Sequence, residues 1–570
     1  MKRCPECRRD YYDDTLVFCL EDGTALVQGS VPSPDEPQTA ILHETASPGE
    51  AATRAQIHTT DHTVVLPEND ERSAVKTASR GNSLIAGVLG TILLTALGVG
   101  GYLLYGRGSS DQIDSIAVLP FENSSGNADS EYISDGIAES LINSLSQLQQ
   151  LKVVARNTAF RYKGKDVDAI QIGKDLSVRA VLTGRVRQIG DRLNIQVDLV
   201  DALTGAQLWG EEYERPASDA LSIKQAIASE VTDKLRLRLS GEQQQQLVKR
   251  ETSNADAYQS YLRGRYYWNR RSVDGLKKAI TEFQQAVDSD PSYALGHVGL
   301  ADCYLLMEEY AGTPASETLP KAEAAADRAL QIDPSLAEAH ASKGLLYNNQ
   351  WRWAESEQAF KRSIELNPKY PTSRHWYSIY LRVKGRHVEG LREMKVAQEL
   401  DPLSPTISQN LAMLYMLNSD VDSAIREWRK VTELEPTFPP AHANLGLAYI
   451  KQRRYEEALA ACERAVEVSG RTSLFLSQLG HAYAVMGKRA EALQILKEME
   501  AKHAAGESVG QYHARVYAGL GDKDQAFAWL EKDFASRSGL LPNITWWQFY
   551  DDLRSDPRYT DLVRRMNLAE

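Results

Sequence analysis

The sequence predicts a multidomain chain in which a mixed α/β domain precedes a long all-α solenoid of repeated helix pairs, with one transmembrane helix and a short cysteine-bearing segment in front. Three observations carry this expectation. From about residue 293 to 538 one phrase returns every thirty-four residues, punctuated by Pro334, Pro368, Pro402 and Pro436, each behind Asp333, Asn367, Asp401 or Glu435, and the next step lands on Gly470. A fixed period of this size marks stacked units that cannot bury their apolar faces alone. Residues 83–105 are apolar and uncharged, and residues 112–240 mix helical with period-two spacing.

Composition sets the outer bounds. At 570 residues the chain exceeds what one core supports and leaves room for about two to four domains. A formal charge of −12 argues against non-specific nucleic-acid binding, which needs a basic footprint. The five cysteines do not form a disulfide framework: Cys4, Cys7 and Cys19 crowd the start, while Cys303 and Cys462 sit singly in helical patterns and read as small buried residues.

In chain order, Cys4 and Cys7 make a C-x-x-C knuckle, Cys19 offers a third thiolate, and Asp22 stands where a zinc ribbon has its fourth ligand. A carboxylate can ligate zinc, so Cys4, Cys7, Cys19 and Asp22 are candidates for one structural zinc. The stretch, residues 1–27, resembles the short N-terminal zinc ribbons of some bacterial membrane proteins. A ribbon that has lost a thiolate and its metal is the competing reading. Residues 28–82 are rich in Pro, Ser, Thr, Ala and acidic residues without period, and read as a disordered linker.

The uncharged run at 83–105 is twenty-three residues long, enough to cross a hydrocarbon core of about 30 Å. Its glycines Gly98, Gly100 and Gly101 suit close packing against a second copy, as in a homodimer. Arg72, Lys76 and Arg80 precede it and only Arg107 immediately follows, so the N-terminal ribbon is expected in the cytoplasm and residues after 106 outside it. The expected location is therefore a bacterial inner membrane, crossed once.

In residues 112–240, an apolar strand at 116–121 leads to a helix at 131–148, a strand at 152–156 and a helix at 169–176. Strands at 180–187, 192–199 and 207–213 follow around turns at 188–191 and 202–205, and a helix at 221–239 closes the domain. The words IAVLPFEN, EYISDGIAESLINSLSQL and AVLTGRVRQIGDRLNIQVDLVDALTGAQLWGEEYER closely resemble the TolB-like N-terminal domain of bacterial multidomain proteins. That resemblance implies a fold and an envelope or signalling context, with no reaction. Asp135, Glu139, Arg156 and Lys163 read as solvated charges, with a ligand groove near Arg156, Arg161 and Lys163 as the alternative.

Residues 255–541 read as about eight helix pairs. In one unit Ala441, Gly446 and Tyr449 mark the first helix and Ala458, Cys462 and Ala465 the small-residue face of the second. This pattern is similar to the tetratricopeptide (TPR) motif, with extra residues near 310–319 expected to form a loop, and a C-terminal cap at 542–570 carrying Trp546, Trp547 and Phe549 over the open end. The resemblance implies a concave groove lined by first helices. Its candidate contacts for a protein or peptide are Asn348, His375, Arg382, Gln409, Met413, Met416, Ile450, Lys451 and His481. No phosphate loop, kinase set, H-E-x-x-H or G-x-S-x-G is present, so the chain is expected to be non-enzymatic. The leading expectation is a membrane scaffold or signalling protein. The alternative is a ligand- or nucleotide-sensing accessory subunit that regulates a partner enzyme.

Overall fold

The computed structural model describes residues 113–126, 130–165, 168–237, 239–241, 243–244 and 251–568, together with 2–3, 10–11 and 27–28. The expected span at 83–105 and the candidate zinc ligands Cys4, Cys7, Cys19 and Asp22 lie outside the described residues. Among the described residues no helix is long and apolar enough to cross a membrane, and none of their His, Cys, Asp and Glu side chains gather into a metal-holding group. In the N-terminal unit, β1 (Lys2–Arg3) pairs antiparallel with both β2 (Asp10–Tyr11) and β3 (Val27–Gln28).

The α/β domain runs β4 (Ser115–Val118), β5 (Glu122–Asn123), α1 (Glu131–Ser146), β6 (Lys152–Val153), α2 (Arg156–Ala159) with a 3₁₀ turn (Phe160–Tyr162), α3 (Ala169–Leu176), β7 (Ala180–Ile189), β8 (Arg192–Asp201), β9 (Gln207–Pro216) and α4 (Ala220–Lys234). Its sheet has the order β6-β4-β7-β8-β9, with β5 also pairing with β7. The half around β4 is parallel and the half from β7 to β9 antiparallel. Residue pattern follows this division. Every residue of β4 is buried, as in a strand covered on both faces. In β8, Leu193, Ile195, Val197 and Leu199 face the core while Asn194, Gln196 and Asp198 face away. Gly190, at φ +62°, makes the tight turn that joins β7 to β8.

Eight helix hairpins follow: α5/α6 (Ala255–Trp268, Val273–Ser289), α7/α8 (Ala294–Ala311, Ala315–Ile332), α9/α10 (Ala337–Asn349, Trp353–Leu366), α11/α12 (Pro371–Val383, His387–Leu400), α13/α14 (Pro405–Leu417, Val421–Leu434), α15/α16 (Pro439–Lys451, Tyr455–Val468), α17/α18 (Ser473–Val485, Arg489–Ala504) and α19/α20 (Gly510–Gly519, Lys523–Ala535). First helices carry small residues where second helices press in: a Cβ on Gly344 would lie 2.6 Å from the Phe360 ring. Cys303 and Cys462 are both buried. The extra residues of the second hairpin do not form the expected loop. They lengthen α7 and α8 to 18 residues each, with Pro320 tolerated near the start of α8.

The array curls until its second and eighth hairpins meet. Gly312 sits against the Glu507–Ser508 backbone, where a side chain would not fit, and Tyr512 donates from its hydroxyl to the Glu309 carbonyl at 3.3 Å. Glu308 accepts from Ser538 Oγ at 2.7 Å and from the Gly539 amide at 3.0 Å. Burial pushes the Glu308 carboxyl up to about 8 against an ordinary value of 4.5, more than those two donors lower it. A raised carboxyl binds its proton more tightly when folded, so its stabilisation is complete below about pH 4.5 and is lost as pH rises through about 8. Thermal unfolding should therefore show the Tm of the native chain falling more steeply from about pH 5.5 to 8.5 than that of Glu308→Gln; parallel slopes would remove Glu308 as the cause.

After Leu540 the chain packs over the last hairpin, with Leu541, Ile544 and Leu562 in one core with Phe527 and Leu530, and Arg558 and Arg565 bonded to Asp524 and Glu531. It also turns inward through two 3₁₀ turns (Leu541–Thr545, Gln548–Leu553) and α21 (Pro557–Arg565). Thr545 Oγ1 donates to the Val383 carbonyl at 3.2 Å, and the Tyr550 hydroxyl to that of Gln511 at 2.8 Å. Trp353 Nε1 in turn donates to the Met566 carbonyl at 2.9 Å. One segment thus ties the third, fourth and eighth hairpins from inside the curve.

Candidate binding chamber

The α/β domain is latched to the array by the residues that follow β6. Asn157 Nδ2 and Thr158 Oγ1 donate to the Asp401 carboxylate at 2.7 and 2.9 Å, and the Leu403 amide donates back to Thr158 Oγ1 at 3.0 Å. Arg161 reaches Glu435 at 2.7 Å and the Leu434 carbonyl at 3.0 Å. Lys369 gives its ammonium hydrogens to the carbonyls of Leu148, Gln149 and Leu151 at 3.0, 2.7 and 2.9 Å. Asp401 and Glu435 are two of the residues that punctuate the thirty-four-residue period, so the repeat itself supplies a row of acceptors along one rim. Burial raises the Asp401 carboxyl despite these donors.

A second latch is ionic. Glu139 of α1 accepts from Arg156 Nε at 2.7 Å, from Arg265 Nε of α5 at 2.8 Å and from Asn269 Nδ2 at 2.8 Å. Burial would raise this carboxyl, but Arg265 and Arg156 outweigh it and hold it below its ordinary value. The expectation that Glu139 and Asp135 are solvated is thereby corrected. Both are buried because each has cationic partners, Asp135 through Lys163 Nζ at 2.6 Å. Arg156 and Arg161 face the space between domain and array, whereas Lys163 turns away to Glu131 and Asp135.

That space is a chamber of about 930 Å³, walled by Glu139, Arg156 and Phe160 on one side and by Arg271, Tyr370 and Phe475 on the other. It continues into a narrower cavity of about 160 Å³, and the two share Arg271, Glu309, Tyr310, His375, Phe438 and Phe475. Trp546 and Trp547 of the returning segment, stacked at 4.2 Å, form part of the inner wall.

Of the nine residues expected in a groove, Asn348, His375, Arg382, Gln409 and Met413 line this inner cavity; Met416, Ile450, Lys451 and His481 line neither space. Asn348, His375, Arg382, Met413, Met416 and His481 are buried, Gln409 and Ile450 half-buried, and Lys451 exposed. Both methionines belong to the packed core. Arg382 donates to Asn410 Oδ1 at 3.0 Å and lies 3.9 Å over the Trp546 ring; Asn410 Nδ2 meets His375 Nε2 at 3.1 Å. Burial, with Arg271 and Arg382 nearby, pushes His375 down to about 3 and keeps it neutral. His481 Nδ1 donates to the Arg515 carbonyl at 3.1 Å. Lys369, Arg271 and Arg515 are not singled out by the sequence; Glu139 reads there only as a solvated charge and Asp401 only as one of the period's punctuation marks.

The family profile of the tetratricopeptide repeat matches residues 439–470, the α15/α16 hairpin. That hairpin is thus a tetratricopeptide repeat, and the seven others share its helix-pair form. A second profile, described as the HilA/YgeH-like transcriptional regulator, second domain, matches residues 111–230 of the TPR protein, the stretch that holds the sheet. Its name differs from the TolB-like family that the sequence resembled. Putative adenylate cyclase 3 of Rhizobium meliloti (strain 1021) is 32% identical over 248 residues, 43% of this chain and 42% of that protein. The chain thus spans less than half the length of that relative. Among solved structures, Pseudomonas aeruginosa pilF is 18% identical, covering 39% of this chain and 99% of its own, with a TM-score of 0.29. Human IFIT1, in a dimer with PPP-AAAA, is 16% identical, covering 56% and 86%, with a TM-score of 0.40. Scores this low carry no argument about this TPR protein's site.

Proposed function

We propose that this TPR protein is a non-enzymatic, single-pass membrane scaffold of a bacterial inner membrane, whose repeat array and α/β domain together hold a protein partner. In this reading the N-terminal ribbon is cytoplasmic and takes one structural zinc on Cys4, Cys7, Cys19 and Asp22, and the α/β domain keeps the TolB-like role of a signalling-envelope module. The observation that carries it is the latch. A domain held on the repeat rim by Asp401, Glu435 and Lys369 leaves an accessible, two-walled chamber at which binding on one element is felt by the other. Thr437 stands exposed at its mouth. A photoreactive residue in place of Thr437 is expected to give a discrete adduct with another polypeptide in intact cells; adducts confined to the chain itself would sink the scaffold reading.

A second reading is favoured by size. Small-molecule sites span about 300–1,000 Å³, and the chamber falls within that range. The chain's own C-terminal segment occupies the inside of the curve, where a partner peptide would have lain. On this account the protein is an accessory subunit that senses a ligand and regulates a partner enzyme. The relative named as an adenylate cyclase supports enzymes of signalling as the class of partner.

A further inference from the structure

The inner cavity has an unusual balance of charge and hydrogen bonding. Its charged lining residues are Arg271, Arg382, Arg515 and Glu309, three cations against one anion, a formal surplus of +2. Among the described residues none of the three guanidinium groups has a carboxylate within ion-pair distance. Arg382 and Arg515 are 7% and 1% exposed and rest on aromatic faces instead, Arg382 over Trp546 at 3.9 Å and Arg515 over Phe549 at 4.2 Å. A cation–π contact is worth about 0.5–2 kcal/mol, which only partly offsets the desolvation of a buried charge.

Hydrogen bonding is left open at the same place. Arg382 Nε and Arg515 Nε have no acceptor, and Asn348 Oδ1, Asn444 Oδ1, Gln478 Oε1 and Gln511 Oε1 have no donor. All six residues are more than nine-tenths buried and all six line the inner cavity. Buried polar atoms without partners are rare in folded proteins, and six around one space point to a group that satisfies them.

We infer that the inner cavity binds the phosphate group of a small phosphate monoester that also carries hydroxyls, with the body of the molecule extending into the larger chamber. This rests on the ligand-sensing reading alone. A monoester dianion balances the surplus of +2, whereas a carboxylate leaves one buried guanidinium uncompensated. Guanidinium N–H groups fit phosphoryl oxygens, and the free amide oxygens suit hydroxyl donors, which inorganic phosphate lacks on a carbon body. Phosphorylated sugars and nucleoside monophosphates share this chemistry.

The test is isothermal titration calorimetry on the full chain in detergent micelles, with glucose 6-phosphate, adenosine 5′-monophosphate, inorganic phosphate and glucose as probes. At least one monoester is expected to bind more tightly than inorganic phosphate, and glucose not at all. Arg271→Gln, at a half-buried residue outside the packed core, is expected to weaken the monoester about tenfold or more, the worth of a charge-assisted hydrogen bond, while its melting temperature stays near that of the native chain. Equal binding of glucose and its phosphate, tighter binding of inorganic phosphate than of either ester, or unchanged affinity in Arg271→Gln would each overturn the inference. The adduct at Thr437 reads the protein partner separately. A chain that forms that adduct but binds neither monoester overturns this inference and leaves the scaffold standing.

Discussion

Glu139→Ala is expected to destabilise the chain by about 1.5–3 kcal/mol, measured by denaturant unfolding, because it removes the charged hydrogen-bond partner shared by the half-buried cations Arg156 and Arg265. Both elements that meet there should loosen together, since Arg156 belongs to the α/β domain and Arg265 to the first hairpin. The companion variant separates charge from packing. Glu139→Leu with Arg156→Leu and Arg265→Leu removes all three charges, and should cost far less than the single change, as buried ion clusters are often replaceable by apolar side chains. A single-variant loss below about 1 kcal/mol, the range of a surface pair, would mean that Glu139 is not the hub described.

Truncation after Leu540 is expected to have the largest effect of all. It removes Trp546, Phe549, Tyr550, Leu553 and Leu562, each 5% exposed or less, and each buried apolar side chain of this size contributes about 1.5–3 kcal/mol. It also takes the aromatic faces from Arg382 and Arg515. Limited proteolysis should show the shortened array cut within the third, fourth and eighth hairpins at protease levels that leave the full chain intact. Equal resistance of the two would show that the inward turn contributes little.

How far the residues disclosed this arrangement depends on the range of the interaction. Local regularities were legible: the punctuation at Asp333, Asn367, Asp401 and Glu435 located the helix pairs, and the alternation at 193–199 located a half-buried strand. Solvation of single charges was not. Glu139 and Asp135 look like any exposed helix residue until Arg265 and Lys163 are brought beside them by contacts more than a hundred and twenty residues apart in the first case. The cluster Trp546-Trp547-Phe549 announced burial, but its destination depended on curvature, a sum of small rotations over many units that no one residue encodes. For the same reason the nine expected groove residues fall on first helices, while the contact of Trp546 with Arg382 went unseen.

The meeting of the second and eighth hairpins changes how the array must come apart. A row of units coupled only to nearest neighbours melts from its two free ends, where each unit has half the usual support. Here Glu308, Ser538, Gly539 and Tyr512 turn the last unit into a neighbour of the second. From the second unit to the eighth the row becomes a hoop, and a hoop has no end from which to fray: its first break must occur between two units that are both fully supported, after which the rest is free to follow.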